Sequence, residues 1–116
     1  MPKTYNIENH CKGDTFAGIQ FTILNTTDST PIDLTGVAIK TQFRKHSKTG
    51  KVVKEIETEN GITITNAVNG VFKFNAFVID WSAGVYYYDI EFTFSDGTIV
   101  TYLEGTLTII QDVTNG

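Results

Sequence analysis

The chain reads as an all-β domain, an antiparallel two-sheet β-sandwich of the immunoglobulin-like kind, with a small β-barrel as the alternative. Three observations point there. Apolar and polar residues alternate with period 2 through nearly every segment, glycine-bearing turns recur at close spacing, and no stretch carries the stripe of an amphipathic helix. The clearest case is Gly84-Val85-Tyr86-Tyr87-Tyr88-Asp89-Ile90-Glu91-Phe92-Thr93-Phe94. Tyr86, Tyr88, Ile90, Phe92 and Phe94 share one parity there, and Tyr87, Asp89, Glu91 and Thr93 share the other. That is a strand with one buried face. Asp96-Gly97 then leads into a second run, Thr98 through Ile110, and predicts a two-residue type I′ turn, whose twist matches the flanking strands. The register that follows sets Phe94 against Ile99, Ile90 against Leu103 and Tyr86 against Leu107, so apolar meets apolar along one face.

The remaining elements follow in order. Residues 4–8 can form a short first strand, and Asn9-His10-Cys11-Lys12-Gly13-Asp14 after it is polar and turn-rich. From Phe16 to Leu24 a strand places Ile19, Phe21 and Ile23 inward and Gln20 and Thr22 outward; it ends in a polar run closed by Pro31, which cannot donate to a ladder. After the Asp33-Leu34-Thr35-Gly36 turn, Val37, Ile39, Thr41 and Phe43 form an inner face and Lys40, Gln42 and Arg44 an outer one. The basic loop Arg44-Lys45-His46-Ser47-Lys48-Thr49-Gly50-Lys51 is the tip of that strand, and as a lysine- and glycine-rich turn it reads as solvated rather than as an anion site. Lys51 to Thr58 alternates again, Asn60-Gly61 turns the chain into Ile62-Thr63-Ile64-Thr65, and Asn69-Gly70 turns it into Val71 to Asn75. Residues 76–83 lack period 2. Phe77 and Trp81 stand four apart there, as on one helical turn plugging the end of the sheets. Beyond it, Asp80, Gly84 and Tyr86 match the corner before strand F of immunoglobulin-like sandwiches, where a tyrosine hydroxyl bonds back to upstream backbone.

With 116 residues the chain makes one domain, residues 1–116, with one core. A formal net charge of −4, and no basic stripe among nine Lys and Arg residues, argue against a nucleic-acid partner. The single cysteine, Cys11, leaves no internal disulfide to form. No run of about 18 apolar residues would span a membrane, and residues 1–10 lack the apolar centre of a signal peptide. Catalysis finds little footing: His10 and His46 both lie in polar turn-like segments, and the adjacent His10 and Cys11 would face opposite ways on an extended chain. No enzyme activity and no cofactor is expected.

Two constellations come from the hairpin register. Asp89 falls opposite Glu104 on the outer face with Glu91 two residues away, a weak candidate for Ca²⁺; three carboxylates fall short of the six or more oxygens such an ion collects. The alternative is a bulge near Gly105, or a cation such as Arg44 or Lys40 from a neighbouring strand. Gly105, opposite Tyr88, suits a close aromatic contact. The second constellation is Tyr87, Val100 and Tyr102, expected on the outer face, where they could dock a protein or, through the two tyrosines, stack on a glycan.

Taken in order, Asp33-Leu34-Thr35-Gly36, Gln42-Phe43-Arg44, Gly61-Ile62-Thr63-Ile64, Gly70, Ala83-Gly84-Val85-Tyr86-Tyr87-Tyr88-Asp89, Asp96-Gly97, Gly105 and Asp112-Val113-Thr114 resemble a family of bacteriophage tail proteins. The similarity is to the N-terminal domain of the phage baseplate upper protein and related small tail-associated proteins, and spans residues 19–114. The resemblance implies a non-enzymatic β-sandwich that attaches to the tail or baseplate of a phage or prophage. Its partners would be other tail and baseplate proteins, with a homo-oligomer possible in the assembly, and it would reside in the virion tail after synthesis in the host bacterial cytoplasm. Longer members carry receptor-binding modules; the sequence here ends at Asn115-Gly116, which favours assembly or an adaptor role. The rival expectation is a carbohydrate-binding or adhesin-like module.

Overall fold

In a computed structural model, which describes residues 3–25 and 27–111, the alternation becomes eleven strands. They are β1 (Lys3–Thr4), β2 (Ile7–Cys11), β3 (Thr15–Phe16), β4 (Ile19–Thr22), β5 (Ala38–Lys45), β6 (Val52–Thr58), β7 (Gly61–Asn66), β8 (Val71–Phe74), β9 (Phe77–Val78), β10 (Gly84–Thr93) and β11 (Ile99–Ile110). The Asp112-Val113-Thr114 motif lies outside the described residues. Nine strands join in one continuous sheet, in the order β1-β11-β10-β5-β6-β7-β8-β4 with β2 also on β11, and β3 with β9 forms a small second one. The large sheet folds on itself between β6 and β7. These two strands pair in parallel over just Glu57↔Gly61 and Thr58↔Ile62, so β7-β8-β4 becomes a second layer facing β10 and β5. The result is an all-β, immunoglobulin-like sandwich with one closed edge, a half-barrel rather than two separate sheets.

Its core is aromatic. Phe72 meets Phe92 edge-on at 5.5 Å between ring centroids, Phe74 meets Phe43 at 6.3 Å, and Phe21 stacks on Phe72 at 5.2 Å, so the two layers interlock through rings from β4, β5, β8 and β10. The inner face expected for β5 is observed: Val37, Ile39, Thr41 and Phe43 are all buried. The tyrosine corner is also present. The Tyr86 hydroxyl donates to the Ser82 carbonyl at 2.7 Å, tying the start of β10 to the segment before it.

Three expectations are corrected. Residues 76–83 form no helical turn; Phe77 and Val78 pair with Phe16 and Thr15 as β9, and the chain then runs irregularly to Gly84. Trp81 still reaches Phe77 at 6.4 Å and also packs on Phe43 and Tyr86, so the plug survives without the helix. The first strand is two pieces, β1 and β2, and residues 9–11 belong to β2 rather than to a turn, because β11 offers its open side as a parallel template. Finally, the turn at Asp96-Gly97 is not a two-residue type I′. Phe94 accepts from Gly97 N–H at 2.9 Å and donates to the Thr98 carbonyl at 2.8 Å, and only Gly97 has positive φ (+91°), so Ser95, Asp96 and Gly97 form a three-residue loop. Asp96 instead spends its carboxylate on the Thr98 N–H at 2.9 Å.

That extra loop residue shifts the hairpin tip by one, pairing Thr93 with Ile99 and Phe92 with Val100. A bulge then restores the expected register: Glu91 pairs with Thr101 and Ile90 with Leu103, leaving Tyr102 as the extra residue. From there on the pairs are as the alternation predicts, including Asp89↔Glu104, Tyr88↔Gly105 and Tyr86↔Leu107.

Candidate functional site

The outer face of β6, β5, β10 and β11 gathers the polar residues that alternation left outside. Cross-strand pairing lines up Glu55, Gln42, Asp89 and Glu104 in one row across four strands, with Arg44, Tyr87 and Thr106 in the next. Side chains in these rows hold one another. Gln42 Nε2 donates to Glu55 Oε2 at 2.5 Å, Arg44 Nη2 donates to Gln42 Oε1 at 2.7 Å, and Arg44 Nη1 donates to the Gly50 carbonyl at 2.9 Å. From the basic loop, Lys48 Nζ reaches Glu104 Oε2 at 3.2 Å. Between them lies a small pocket of about 40 Å³, lined by Gln42, Arg44, Lys48, Tyr87, Asp89 and Glu104, with room for little more than a water or one small group.

Asp89 is the uncompensated member. The residue is exposed, yet partial desolvation of its carboxyl, followed by repulsion from Glu91 and Glu104, raises it above the ordinary carboxylate range, while the Arg44 guanidinium pulls the other way. Among the described residues it forms no ion pair. Glu91, two residues along on the same face, pairs with Thr101 on one side and faces Lys40 on the other. Among the described residues no three His, Cys, Asp or Glu side chains come together as metal ligands would. Of the three carboxylates only Glu104 forms an ion pair among the described residues, with Lys48 of the basic loop; Lys40 stands cross-strand from Glu91, and Arg44 acts on Asp89 without bonding to it. The bulge lies at Tyr102 rather than near Gly105.

The three residues expected together on the outer face are divided. Tyr87 is there, half-buried beside Arg44 and Asp89. Tyr102 is not: the bulge turns it to the core side, where its ring meets Phe92 edge-on at 5.1 Å and Phe94 at 6.5 Å. Val100 pairs with Phe92 and so shares that inner side. The face that presents Tyr87 thus presents one tyrosine, framed by an amide, a guanidinium and carboxylates. Sequence reasoning found the outward parity of Gln42 and Arg44 but not their neighbours, since neighbours depend on strand order and on the path of the basic loop.

The two histidines lie apart from this face. His10 lies with Nε2 3.0 Å from the Asp14 carbonyl and its ring edge-on to Phe16, and His46 sits at the loop tip with φ +71°. Gly105 makes its close approach to backbone rather than to the Tyr88 ring. A side chain there would overlap the Tyr5 carbonyl, the same carbonyl that accepts from the Tyr88 hydroxyl at 2.5 Å.

These observations define an immunoglobulin-like sandwich with a polar outer face around one tyrosine. Comparison with known proteins adds no family: no family model matches the chain, and no curated protein matches it. Among solved structures it is similar to the crystal structure of CopC from Methylosinus trichosporium OB3b, at 15% identity and a TM-score of 0.49 over 94% of this chain and 90% of that one. Drosophila OTK extracellular domains 3–5 give 18% identity and a TM-score of 0.37, over 96% of this chain and 34% of that one. Likenesses this distant carry no functional argument.

Proposed function

We propose that the chain is a non-enzymatic structural or adaptor component of a phage or prophage tail or baseplate, docking onto other tail proteins through the outer face centred on Tyr87. The observation that supports docking is the preorganised row on that face: Gln42 is held from both sides, by Glu55 and by Arg44, so the polar groups around Tyr87 meet a partner without first being ordered. A hydrogen-bonding surface around an aromatic suits protein contact better than a 40 Å³ pocket suits a substrate. The tail assignment rests on the ordered turn and strand motifs that resemble the baseplate family. Repetition around a tail axis lets a weak contact hold by multivalency.

The test is recovery of wild type and variants with assembled tails, with circular dichroism as folding control. Tyr87→Ala is expected to lower incorporation about tenfold or more with the fold intact, as truncated interface aromatics do. Tyr102→Ala is expected to lose stability instead, because its ring packs on Phe92. Wild type absent from particles would refute the reading. A second reading, glycan binding, draws on Tyr87 being flanked by the Gln42 amide and the Asp89 and Glu104 carboxylates. Binding of an isolated oligosaccharide that requires Tyr87 would promote it over the first.

A further inference from the structure

The small layer ends at β4, and no described strand pairs with the far edge of that strand. Ile23 N–H donates to the Gly70 carbonyl at 2.9 Å, and β4 pairs with β8 without a register break through Phe21↔Phe72 and Ile19↔Phe74. Main-chain groups of the odd-numbered residues therefore face β8. The same holds beyond β8, where Ile32 N–H donates to the Ile23 carbonyl at 3.0 Å and Asn25 N–H to the Thr30 carbonyl at 2.7 Å. The N–H and C=O groups of Gln20, Thr22 and Leu24 consequently point the other way, where no described strand lies alongside β4.

Such an edge is normally protected by a lysine, a proline or a bulge. This one has none: residues 18–25 contain no charged residue and no proline, and the pairing of β4 is regular. Leu24, 45% exposed, stands at its end.

We propose that this edge pairs with the same edge of a second copy of the chain, antiparallel about a twofold axis at Thr22, joining the two small layers into one continuous sheet. An isologous contact must be complementary to itself, and the spacing here is. With Thr22 opposite Thr22 of the second copy, Gln20 falls opposite Leu24, and each outward N–H meets an outward C=O, giving about six inter-chain hydrogen bonds. The uncharged run meets itself without repulsion, and Leu24 packs along the stem of Gln20. A foreign strand carrying charge would find no counter-charge on this run, which favours a second copy as the occupant. The contact is short, so the association is weak and concentration-dependent. It stands independently of the docking face around Tyr87, which lies on the other layer.

Sedimentation velocity across about 10 μM to 1 mM reads the association, whose weakness follows from its small area. Wild type is expected to dimerise within that range. Thr22→Lys and Thr22→Glu each set two like charges about 5 Å apart on the axis, and each alone should be monomeric; mixed in equal amounts they should recover the dimer as a Lys–Glu pair. Thr22 is exposed, so circular dichroism of both variants should match wild type. Should either fold poorly, Gln20→Pro serves, because it removes an N–H that only the dimer uses. Wild type monomeric at about 1 mM, association persisting in Thr22→Lys, or no recovery in the mixture would each overturn the proposal.

Discussion

Three Asp-x-Thr triplets close turns in the same way. Asp28 accepts from Thr30 N–H at 3.0 Å and its hydroxyl at 2.7 Å, Asp33 from Thr35 at 2.9 and 2.6 Å, and Asp96 from Thr98 N–H at 2.9 Å. Each carboxylate is held below its ordinary range by those bonds. Asp89 is opposite in sign. Its carboxyl is raised above the ordinary 3.8 by partial desolvation first and by Glu91 next, so its charged form costs folding free energy. That cost is absent below pH 3.8, where the group is protonated folded or unfolded, and accrues as pH rises through the folded value. Asp89→Asn should therefore exceed wild type in stability at pH 7 and match it at about pH 3, by urea melts. The three turn aspartates are common to both proteins and cancel; a gap that widened toward acid would reverse the assignment. A second residue-scale expectation concerns Thr41, fully buried, whose Oγ1 has no hydrogen-bond partner among the described residues. A buried unpaired hydroxyl costs about 1–3 kcal/mol, and valine has the same shape without it. Thr41→Val should raise stability by about 1 kcal/mol, read as a higher urea midpoint with an unchanged slope.

At the scale of elements, the β10–β11 hairpin shows where alternation is sufficient and where it is not. The parity of β10 was legible because one face is buried along its whole length: Tyr86, Tyr88, Ile90 and Phe92 are all inside. Phe92→Ala should accordingly cost about 3–5 kcal/mol, and its neighbour Thr93→Ala under about 1, by denaturant titration. Equal costs would invert the face. What alternation could not supply was the strand β11 beyond the tip, where Val100, Thr101 and Tyr102 are none of them fully buried or fully exposed. An Asp-Gly pair fits either a two-residue loop or a three-residue loop ending in a left-handed glycine, and the choice shifts register by one. Here the longer loop and the bulge at Tyr102 offset each other, so the pairs below the bulge were predicted correctly despite a wrong turn. The site suffered most. Tyr102 and Val100 lie within the shifted stretch, which is why two of three expected surface residues face inward, while Tyr87, below the bulge, is where parity put it.

The sandwich as a whole depends on how the N-terminal strands cover β11. β1 pairs with Leu103 and Glu104, β2 begins against Leu107, and the link between them, Tyr5 and Asn6, crosses β11 at Gly105. Several contacts hold that crossing. Tyr5 N–H donates to the Glu104 carbonyl at 2.9 Å, the Thr106 N–H donates to Asn6 Oδ1 at 3.1 Å, and the Tyr88 hydroxyl, its pKa raised by burial and by Tyr5, donates to the Tyr5 carbonyl at 2.5 Å. Tyr5 also sets its ring edge-on to Phe21 at 5.9 Å, so the link joins both layers. The crossing works because Gly105 has no side chain: a Cβ there would overlap the Tyr5 carbonyl, which is backbone and cannot rotate aside. Gly105→Ala must therefore push the link off β11, releasing β1 and β2 and exposing the Tyr88 hydroxyl. The β10–β5 ladder, Tyr86↔Lys45 through Thr93↔Ala38, does not touch the link and should persist. Amide hydrogen exchange separates the two outcomes, because protection is lost element by element when opening is local. Residues 3–11 and the outer side of β11 should lose protection by about tenfold or more while β5 and β10 keep theirs. Uniform loss across all strands would mean that the N-terminal strands are inseparable from the core, and unchanged protection would mean that the backbone yields at Tyr5 without releasing its strands.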